Sequence, residues 1–447
     1  MTAHADRIRT VLSRGPASAR QLIENIGFSQ PTVSRAITSL GDQIVRMGTA
    51  RGIQYALRDA FRGLSEFPIY RVDADGKIKT LGVLVPVRPD GFVMLQDNGV
   101  QEHHEGLPWW MIDMRPQGFL GRAYAQLHSV ALGLPHSVNE WSDTHALRAL
   151  LTHGADAVGN LLLGNVARDR FVNAPLPTAI GLEAKGDQYV RLAAGVASVG
   201  DTWSSAGGEQ PKFCAYSETA HGAAHVLVKF TTADDNPVTQ RWRDLLLAEH
   251  LALETLGIAG VVAARSTVID HNGQRFLEVE RFDRVGATGR RGLFSLASLD
   301  AQFVGDARSP WPVVTAGLVK AKVVAKEANE AAALLYAFGT LIGNEDMHQG
   351  NLSFIADPGQ PYDLAPAYDT LPMGFKPRTG GGLSNALQPA NLHPSVNNGT
   401  WVQACGIAEL YLQRVLIEGG FSDQFKVCIA ALSAHIEAAK LKISRLG

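Results

Sequence analysis

The spacing of hydrophobic positions in the first sixty residues predicts three short helices followed by a β-hairpin. The helical stretches place hydrophobic residues three to four positions apart and lie at residues 5–14, 18–27 and 29–40. Ser18 and Ser29 are suited to the N-cap positions of the second and third helices, and Gly27 is suited to a left-handed helix end. Two short runs, 44–47 and 53–57, read as strands around a tip that begins and ends with glycine.

Three helices and a hairpin in this order resemble a winged helix-turn-helix domain. The side chains that point outward near the start of the third helix, Thr32, Ser34 and Arg35, are predicted to meet base edges in the major groove. Arg51, in the hairpin tip, is predicted to meet phosphate or the minor groove. Eight arginines against four acidic residues give residues 1–60 a net charge of +4, which favours DNA. The alternative is a small helical module for protein contacts or dimerisation.

Beyond this segment the pattern changes from strand-rich to helix-rich. Strands are predicted within 66–105 and 201–230, and helices within 120–175, 236–256 and most of the chain after 320. We therefore predict an α+β protein. Its predicted parts are a winged helix-turn-helix domain at 1–62, an amino-terminal region with a β-rich lobe at 63–300, and an α-helical lobe at 301–447. A ligand site is expected in the cleft between the two lobes.

Composition narrows the class of protein. The chain has 447 residues, of which 46% are hydrophobic, and its 41 basic residues nearly balance its 43 acidic ones. This excludes wholesale disorder and disfavours a role based on overall charge. No run approaches the ~18 apolar residues of a membrane helix. Cys214, Cys405 and Cys428 are few and far apart, which favours a cytoplasmic protein without disulfides or a zinc site.

The strongest chemical signal is the loop Asn344–Asn351. Asp346 and Asn351 are five positions apart, the spacing of the base and the magnesium ligand in the catalytic loop of protein kinases. Asp369 follows eighteen residues later and is predicted to be the second Mg²⁺ ligand, since carboxylate and amide oxygens are the donors that magnesium prefers. The alternative is a polar connection between helices. His348 has no second histidine or cysteine at ligand spacing, so we interpret it as structural or phosphate-adjacent.

Upstream of this loop lie candidates for binding the phosphates of ATP. A glycine turn is predicted to bind these phosphates through its backbone N–H groups. Its central residues are Ser205, Ala206, Gly207 and Gly208. Lys229 lies in an apolar strand, and Glu249, in a helix twenty residues later, could pair with it as in protein kinases. Taken singly, the glycine turn is better explained as an ordinary hairpin turn, Lys229 could be an edge-strand lysine turned to solvent, and Glu249 could be a surface carboxylate. Their order along the chain favours ATP-dependent phosphoryl transfer.

Three motifs in order resemble the HipA family of serine/threonine kinase toxins. Along the chain they are Glu-Arg-Phe-Asp-Arg at 280–284, Asn-x-Asp-x-His-x-x-Asn at 344–351 and Pro-Ala-Tyr-Asp at 366–369. The resemblance covers roughly residues 65–447, and the fused winged helix is similar to the YjjJ (HipH) branch. It implies an ATP- and Mg²⁺-dependent kinase in which the backbone around Glu280 and Phe282 holds adenine. It also implies autophosphorylation of a glycine-loop serine, Ser205 or its neighbour Ser204.

The resemblance also implies partners. HipA kinases phosphorylate aminoacyl-tRNA synthetases, so such a protein substrate is expected, together with duplex DNA through residues 1–62 and no membrane. HipA toxins pair with a separate DNA-binding antitoxin, HipB, whereas here a DNA-binding segment is predicted within the chain. Two other functions fit less well: a nucleotide-sensing transcriptional regulator with little kinase activity, and a DNA-acting nuclease toxin. The regulator need not keep Asp346, and a nuclease does not explain the glycine loop.

Overall fold

The structure, a computed structural model, describes residues 3–49, 52–197, 210–378 and 380–446. The chain is 46% helical and 20% strand, so the prediction of a mixed helix-and-sheet protein is confirmed. It divides into two units, one formed by Met1–Arg115 with Val130–Ala174 and the other by Pro116–Ser129 with Pro175–Gly447. No described helix is long and apolar enough to cross a membrane. The domain boundaries at 62 and 300 stay predictions.

The first unit begins with three helices and a small sheet. Their bounds are α1 Ala3–Leu12, β1 Ala17–Ser18, α2 Ala19–Ile26, α3 Gln30–Leu40, β2 Ile44–Met47 and β3 Gln54–Leu57. The Ser18 hydroxyl accepts a hydrogen bond from Gln21 N, and Gly27 ends α2 with φ +73°, as predicted. Ser29 precedes α3 but makes no cap hydrogen bond with the backbone; its hydroxyl lies 2.9 Å from that of Thr32. The three predicted helices and the hairpin are confirmed as elements.

A five-stranded antiparallel sheet follows in the same unit, in the order β7-β6-β5-β4-β8. The elements of this region are β4 Phe67–Val72, β5 Ile78–Val87, β6 Gly91–Gln96, β7 Gln101–His104, α5 Asp143–His153, β8 Leu161–Leu163 and α6 Gly164–Asn173. Between β7 and α5 the chain forms α4, Gly118–Leu132, most of which belongs to the second unit. The prediction of mainly helical structure within 120–175 did not include β8. This strand pairs with β4, and three residues are too few to show a period of two.

The β2–β3 hairpin shares a hydrophobic core with this sheet. The shared cluster consists of Val45, Met47, Ala56, Val85, Val87 and Val93. Arg58 and Val87 form an antiparallel bridge, and Gly48 N donates a hydrogen bond of 2.9 Å to Gln101 Oε1. Asp59 is buried, and its carboxylate accepts hydrogen bonds from the backbone nitrogens of Phe61 and Arg62 and from the Arg62 guanidinium. The hairpin is therefore built into the sheet that follows it.

The second unit contains a four-stranded antiparallel sheet in the order β11-β12-β10-β9. Its elements are α7 Lys185–Ala197, β9 Lys212–Thr219, β10 Gly222–Phe230, α8 Pro237–Ile258, β11 Ser266–His271 and β12 Gln274–Glu280. Leu277 packs against Leu246 of α8, and its neighbour Phe276 packs against Tyr189 of α7. Because successive strand residues face opposite sides, both faces of this sheet are buried.

The rest of the unit is mainly helical. Its elements are β13 Arg284–Val285, β14 Gly289–Arg290, β15 Leu293–Ser295, α9 Leu296–Phe303, α10 Trp311–Lys320, α11 Lys326–Leu341, β16 Ser353–Ile355, β17 Asp363–Leu364, α12 Asn398–Ile417 and α13 Lys426–Ile443. The loop 342–351 follows α11 directly. The segment after β17 is tied to residues near β11, since Ala264 N donates to Ala367 O at 2.8 Å and Ala367 N donates to Val262 O at 2.9 Å. This bridge carries Asp369 towards the four-stranded sheet.

Candidate active site

Lys229, Glu249 and Asp369 meet in what we call the open cluster. Lys229 is the penultimate residue of β10, and its Nζ lies 2.7 and 2.8 Å from the two carboxylate oxygens of Glu249 in α8. The same Nζ lies 2.5 Å from Oδ1 of Asp369. Lys229 and Glu249 are 6% and 1% exposed, whereas the Asp369 side chain is 34% exposed. The cluster thus joins a buried ion pair to a carboxylate that reaches solvent.

Each charged group of the open cluster alters the pKa of the others. Burial alone would lower the pKa of the Lys229 ammonium, but the carboxylates of Asp369 and Glu249 raise it above its ordinary value. Burial raises the pKa of Glu249 in spite of its contact with Lys229. For Asp369, burial is outweighed by attraction to Lys229 and Lys212, which lowers the pKa of its carboxyl. At neutral pH, Lys229 is therefore a fixed cation and Asp369 a fixed anion.

The backbone at Asp369 is strained. Its φ is +52°, in the left-handed region that costs a residue other than glycine about 1–3 kcal/mol. The conformation is held by its neighbours: Ala367 is bridged to Val262 and Ala264, and the Tyr368 hydroxyl lies 2.7 Å from both Ser353 Oγ and Gly350 O. Tyr368 thereby links the segment of Asp369 to the loop 342–351.

That loop holds Asp346 and Asn351 in a fixed relation. Asp346 N donates to Asn344 Oδ1 at 3.1 Å, and Asn351 Nδ2 donates to the backbone oxygen of Asp346 at 2.8 Å. Asn344 and Asn351 are buried, whereas the Asp346 side chain is half-buried. Because the amide nitrogen of Asn351 is committed to the loop, its Oδ1 is the atom left for another partner. The loop thus presents a carboxylate and an amide oxygen.

His348 shapes the same loop. Its Nδ1 accepts a hydrogen bond from Gly350 N at 3.0 Å, and its backbone oxygen accepts one from Trp311 Nε1 at 3.1 Å. A cavity of about 940 Å³ opens beside this loop, lined by Asp346, His348 and residues between 297 and 393.

Glu280 and Phe282 lie where β12 ends. Glu280 N donates to Arg265 O at 2.9 Å, and its carboxylate accepts a hydrogen bond from Thr219 Oγ1 at 2.9 Å. The ring of Phe282 packs 5.6 Å from that of Tyr368. The Phe282 side chain therefore braces the segment that carries Asp369.

The remaining predicted residues divide into two groups. On α3, Ser34 and Arg35 are exposed and Thr32 is half-buried, and Arg35 Nε donates to Pro31 O of the same helix at 3.3 Å. The second group lies outside the described residues and consists of Arg51, Ser204, Ser205, Ala206, Gly207 and Gly208.

Lys212 belongs to the site although its role was not predicted. It lies opposite Lys229 in the β9–β10 ladder, so both lysines point to the same face, and its charge lowers the pKa of Asp369. The chain before it is bound to β10, since Phe230 N donates to Pro211 O at 3.0 Å and Gln210 Nε2 donates to Phe230 O. A signal was present in the sequence: Lys212 and Lys229 are equally far from the hairpin turn.

The opposite face of the sheet carries a second charged group, which we call the closed cluster. Lys185 Nζ lies 2.8 and 2.7 Å from the carboxylate oxygens of Glu278. Tyr189 donates its hydroxyl hydrogen to Glu278 and lies 2.8 Å from Ser217 Oγ. All four side chains belong to residues that are at most 5% exposed. Burial, together with the hydrogen bond to Glu278, raises the pKa of Tyr189.

Comparison with known proteins places the chain in a family. Residues 63–172 match the family "YjjJ-like toxin, middle domain", and residues 204–418 match "HipA-like C-terminal domain". A curated relative, Toxin YjjJ of Escherichia coli (strain K12), is 36% identical over 440 residues, which are 98% of each chain.

A solved structure shows the same fold. HipA of Shewanella oneidensis MR-1, in a complex described as HipA, HipB and operator DNA, matches with a TM-score of 0.55 at 14% identity. The match covers 85% of this chain and 96% of that one. The identity to Toxin YjjJ over nearly the whole length, the two family matches and this fold agree with the motifs found in the sequence. The chain is therefore a member of the YjjJ-like family of HipA-type toxins.

Proposed function

We propose that the chain is an ATP-dependent, Mg²⁺-dependent serine/threonine protein kinase. The observation that carries this proposal is the open cluster, in which the Lys229 ammonium touches both Glu249 and Asp369. A buried lysine fixed by a glutamate, close to an aspartate that reaches solvent, is the arrangement that protein kinases use for phosphoryl transfer. Membership of a HipA-type family agrees with it.

The residues present fit a bound magnesium ion. Asp369 supplies an ionised carboxylate, and Asn351 supplies an amide oxygen because its nitrogen is committed to Asp346 O. Both are hard oxygen donors suited to Mg²⁺. When bound, the metal neutralises charge on the phosphates. Lys229 and Lys212 add two ammonium groups on the same face, and backbone groups near Glu280 are proposed to hold adenine.

Asp346 is proposed to act on the acceptor. Its half-buried carboxylate lies in a loop fixed by Asn344 and Asn351, so it can accept a hydrogen bond from a substrate hydroxyl and take its proton as transfer proceeds.

Transfer from γ-labelled ATP tests the proposal. Asp346→Ala should abolish labelling and leave nucleotide binding largely intact, because Asp346 acts on the hydroxyl. Asp363→Ala removes an exposed aspartate of the same unit and should label like the unchanged chain. Equal labelling by the Asp346→Ala and Asp363→Ala variants would exclude Asp346 as the base.

We further propose that the active chain phosphorylates Ser205 or Ser204. A phosphate adds about two negative charges where ATP phosphates are proposed to lie, and would therefore repel the nucleotide. Mass spectrometry of the active chain should find the modification, and the Asp346→Ala variant should lack it. Active protein that is unmodified at both serines would contradict this part of the proposal.

Residues 1–62 are proposed to form a winged helix-turn-helix that binds duplex DNA. Ser34 and Arg35 are exposed on α3, and a helix so displayed can enter the major groove. The HipA match comes from a complex with HipB and operator DNA. Because β2–β3 shares its core with the next sheet, the test uses the full chain. Arg35→Ala should cost roughly 1–3 kcal/mol on a selected duplex, and the exposed Arg71→Ala should cost little.

A further inference from the structure

The cavity beside Asp346 is separate from the open cluster. The described residues that line it lie between 297 and 393 and include Asp346 and His348, but not Lys229, Glu249 or Asp369. We propose that it receives the part of a protein substrate that carries the acceptor hydroxyl, that this part is basic, and that Glu345 selects it. The inference rests on the kinase function proposed above, since it takes Asp346 as the base.

The cavity is large and its walls are fixed. Its volume of about 940 Å³ is near the upper end of the roughly 300–1,000 Å³ of ligand sites, so a single hydroxyl side chain would leave it mostly empty. Gln349 Nε2 donates to Asp306 O at 3.1 Å, and Trp311 Nε1 donates to His348 O at 3.1 Å. These bonds tie Asp306 and the first residue of α10 to the loop of Asp346. The cavity is therefore preformed for a chain of several residues.

Acidic residues outnumber basic ones in the lining of the cavity. Asp300, Glu345 and Asp346 line it, and Arg308 is the one lysine or arginine among the described lining residues. With His348 and His393 neutral, the lining carries a net charge of −2. A cleft that collects charge of one sign attracts ligands of the other sign. The lining therefore favours a cationic occupant.

Glu345 is the carboxylate free to recognise that cation. Asp300 is 2% exposed and its Oδ1 accepts a hydrogen bond from Asp306 N at 2.9 Å, and Asp346 is reserved for the hydroxyl. Glu345 is exposed and has no hydrogen-bond or ion-pair partner among the described side chains. It directly precedes Asp346, so a lysine or arginine close to the acceptor serine or threonine would meet it.

The same charges argue against a nucleic-acid occupant. Each phosphate entering the cavity would face Asp300, Glu345 and Asp346 and could pair with Arg308 alone. A polypeptide can bring positive side chains and a hydroxyl together, whereas a nucleic acid brings negative charge with every residue. The cavity thus favours a basic polypeptide.

Peptide arrays test the inference. Each peptide has a central serine and one flanking position fixed as lysine, alanine or aspartate, and the full-length chain is supplied with γ-labelled ATP. At one flanking position the unchanged chain should prefer lysine over aspartate by roughly two- to fivefold, the range of a partly exposed ion pair. Glu345→Gln should remove the preference and Glu345→Lys should reverse it. Glu437→Lys, at an exposed glutamate of α13, should keep it. ATP binding should be unchanged in every variant.

The outcomes separate this inference from the kinase proposal. Peptides labelled without a charge preference, or with one that Glu345→Lys leaves intact, would overturn the inference and leave the kinase standing. Label entering DNA or RNA instead of peptides would overturn it as well, and so would self-labelling of the chain without any labelled peptide. If no phosphate is transferred to any peptide, nucleic acid or the chain itself, the kinase proposal fails and the inference fails with it.

Discussion

The four-stranded sheet buries a lysine–glutamate pair on each face, and the two pairs are completed differently. In the open cluster, the Lys229–Glu249 pair is joined by Asp369, whose side chain is one-third exposed. In the closed cluster, the Lys185–Glu278 pair is joined by Tyr189, which lies fully buried against Ser217. The third partner is a charged group at the surface in one case and a neutral group in the core in the other.

This difference distinguishes a cluster that can bind a ligand from a cluster that only stabilises the fold. A buried ion pair whose remaining hydrogen-bonding capacity is satisfied internally has nothing to offer a ligand, and it serves to fix the packing of neighbouring elements. The open cluster has an excess carboxylate in a strained conformation that reaches solvent, so it can accept a cation. Residue type alone does not distinguish the two clusters.

The largest expected effect comes from Asp369→Asn, which removes the charge of the open cluster and keeps its shape. Phosphoryl transfer should fall roughly a thousandfold, the upper range for losing one preorganised electrostatic partner. Stability should change little, because the repulsion between Asp369 and Glu249 is lost together with the attraction to Lys229. Labelled-ATP turnover and urea denaturation measure the two quantities. If the variant lost much of its stability but kept normal turnover, the open cluster would support the fold and would not take part in catalysis.

Lys185→Met should act in the opposite way. It leaves Glu278 buried without its cation, which costs about 3–5 kcal/mol of unfolding free energy, while turnover per folded molecule stays unchanged. The double variant Lys185→Met/Glu278→Leu should recover most of the loss, since both charges are then gone. The unfolding free energies of the two variants, measured in urea, test both expectations. A single variant that is as stable as the unchanged chain would show that the pair does not support the fold.

Tyr189→Phe should have a smaller effect. It removes the hydroxyl that contacts both Glu278 and Ser217 and should cost about 1–2 kcal/mol at pH 7. Turnover should again be unchanged. Equilibrium unfolding measures the loss, and Ser217→Ala, which leaves the bond to Glu278 in place, is the control expected to cost less.

The smallest expected effect is a pH dependence of the closed cluster. Burial raises the pKa of Tyr189 above the unfolded value of about 10. The stability that this provides is complete below pH 10 and is lost as the pH rises further, because the unfolded chain ionises first. Relative to pH 9, the unchanged chain should lose up to about 1 kcal/mol more than Tyr189→Phe at pH 10.5. Parallel losses in the two proteins would show that Tyr189 does not set this dependence.

The sequence predicted the open cluster and missed the closed one for a physical reason. Lys229, Glu249 and Asp369 each lie in a segment whose local pattern is informative, and their order matches a known chemistry. Lys185 and Glu278 are 93 residues apart and lie in an ordinary helix and an ordinary strand. They meet only because alternation along β12 turns Glu278 towards α7, and this depends on the register of the folded sheet.

The helices and strands show the same distinction between features set by local sequence signals and features set by long-range contacts. The bounds of α2 could be predicted because Ser18 and Gly27 are local signals that act within one turn. The short strand β8 could not be predicted, because it exists through its pairing with β4. The packing of Val45 and Met47 on the five-stranded sheet was also missed, since alternation shows that a face is buried but not which surface buries it.

That shared core bears on how this kind of protein can be rearranged, by evolution or in the laboratory. A cut after residue 62 would expose the hydrophobic residues on both sides of the junction, including Ala56 and Val85, and would leave Gly48 without its bond to Gln101. The amino-terminal segment is therefore not expected to fold as an independent domain when it is moved to another protein. A chimaera built to test the proposed DNA binding would graft α3 residues onto the existing scaffold, whereas transplanting the whole segment would require the strands that share its core to be moved as well.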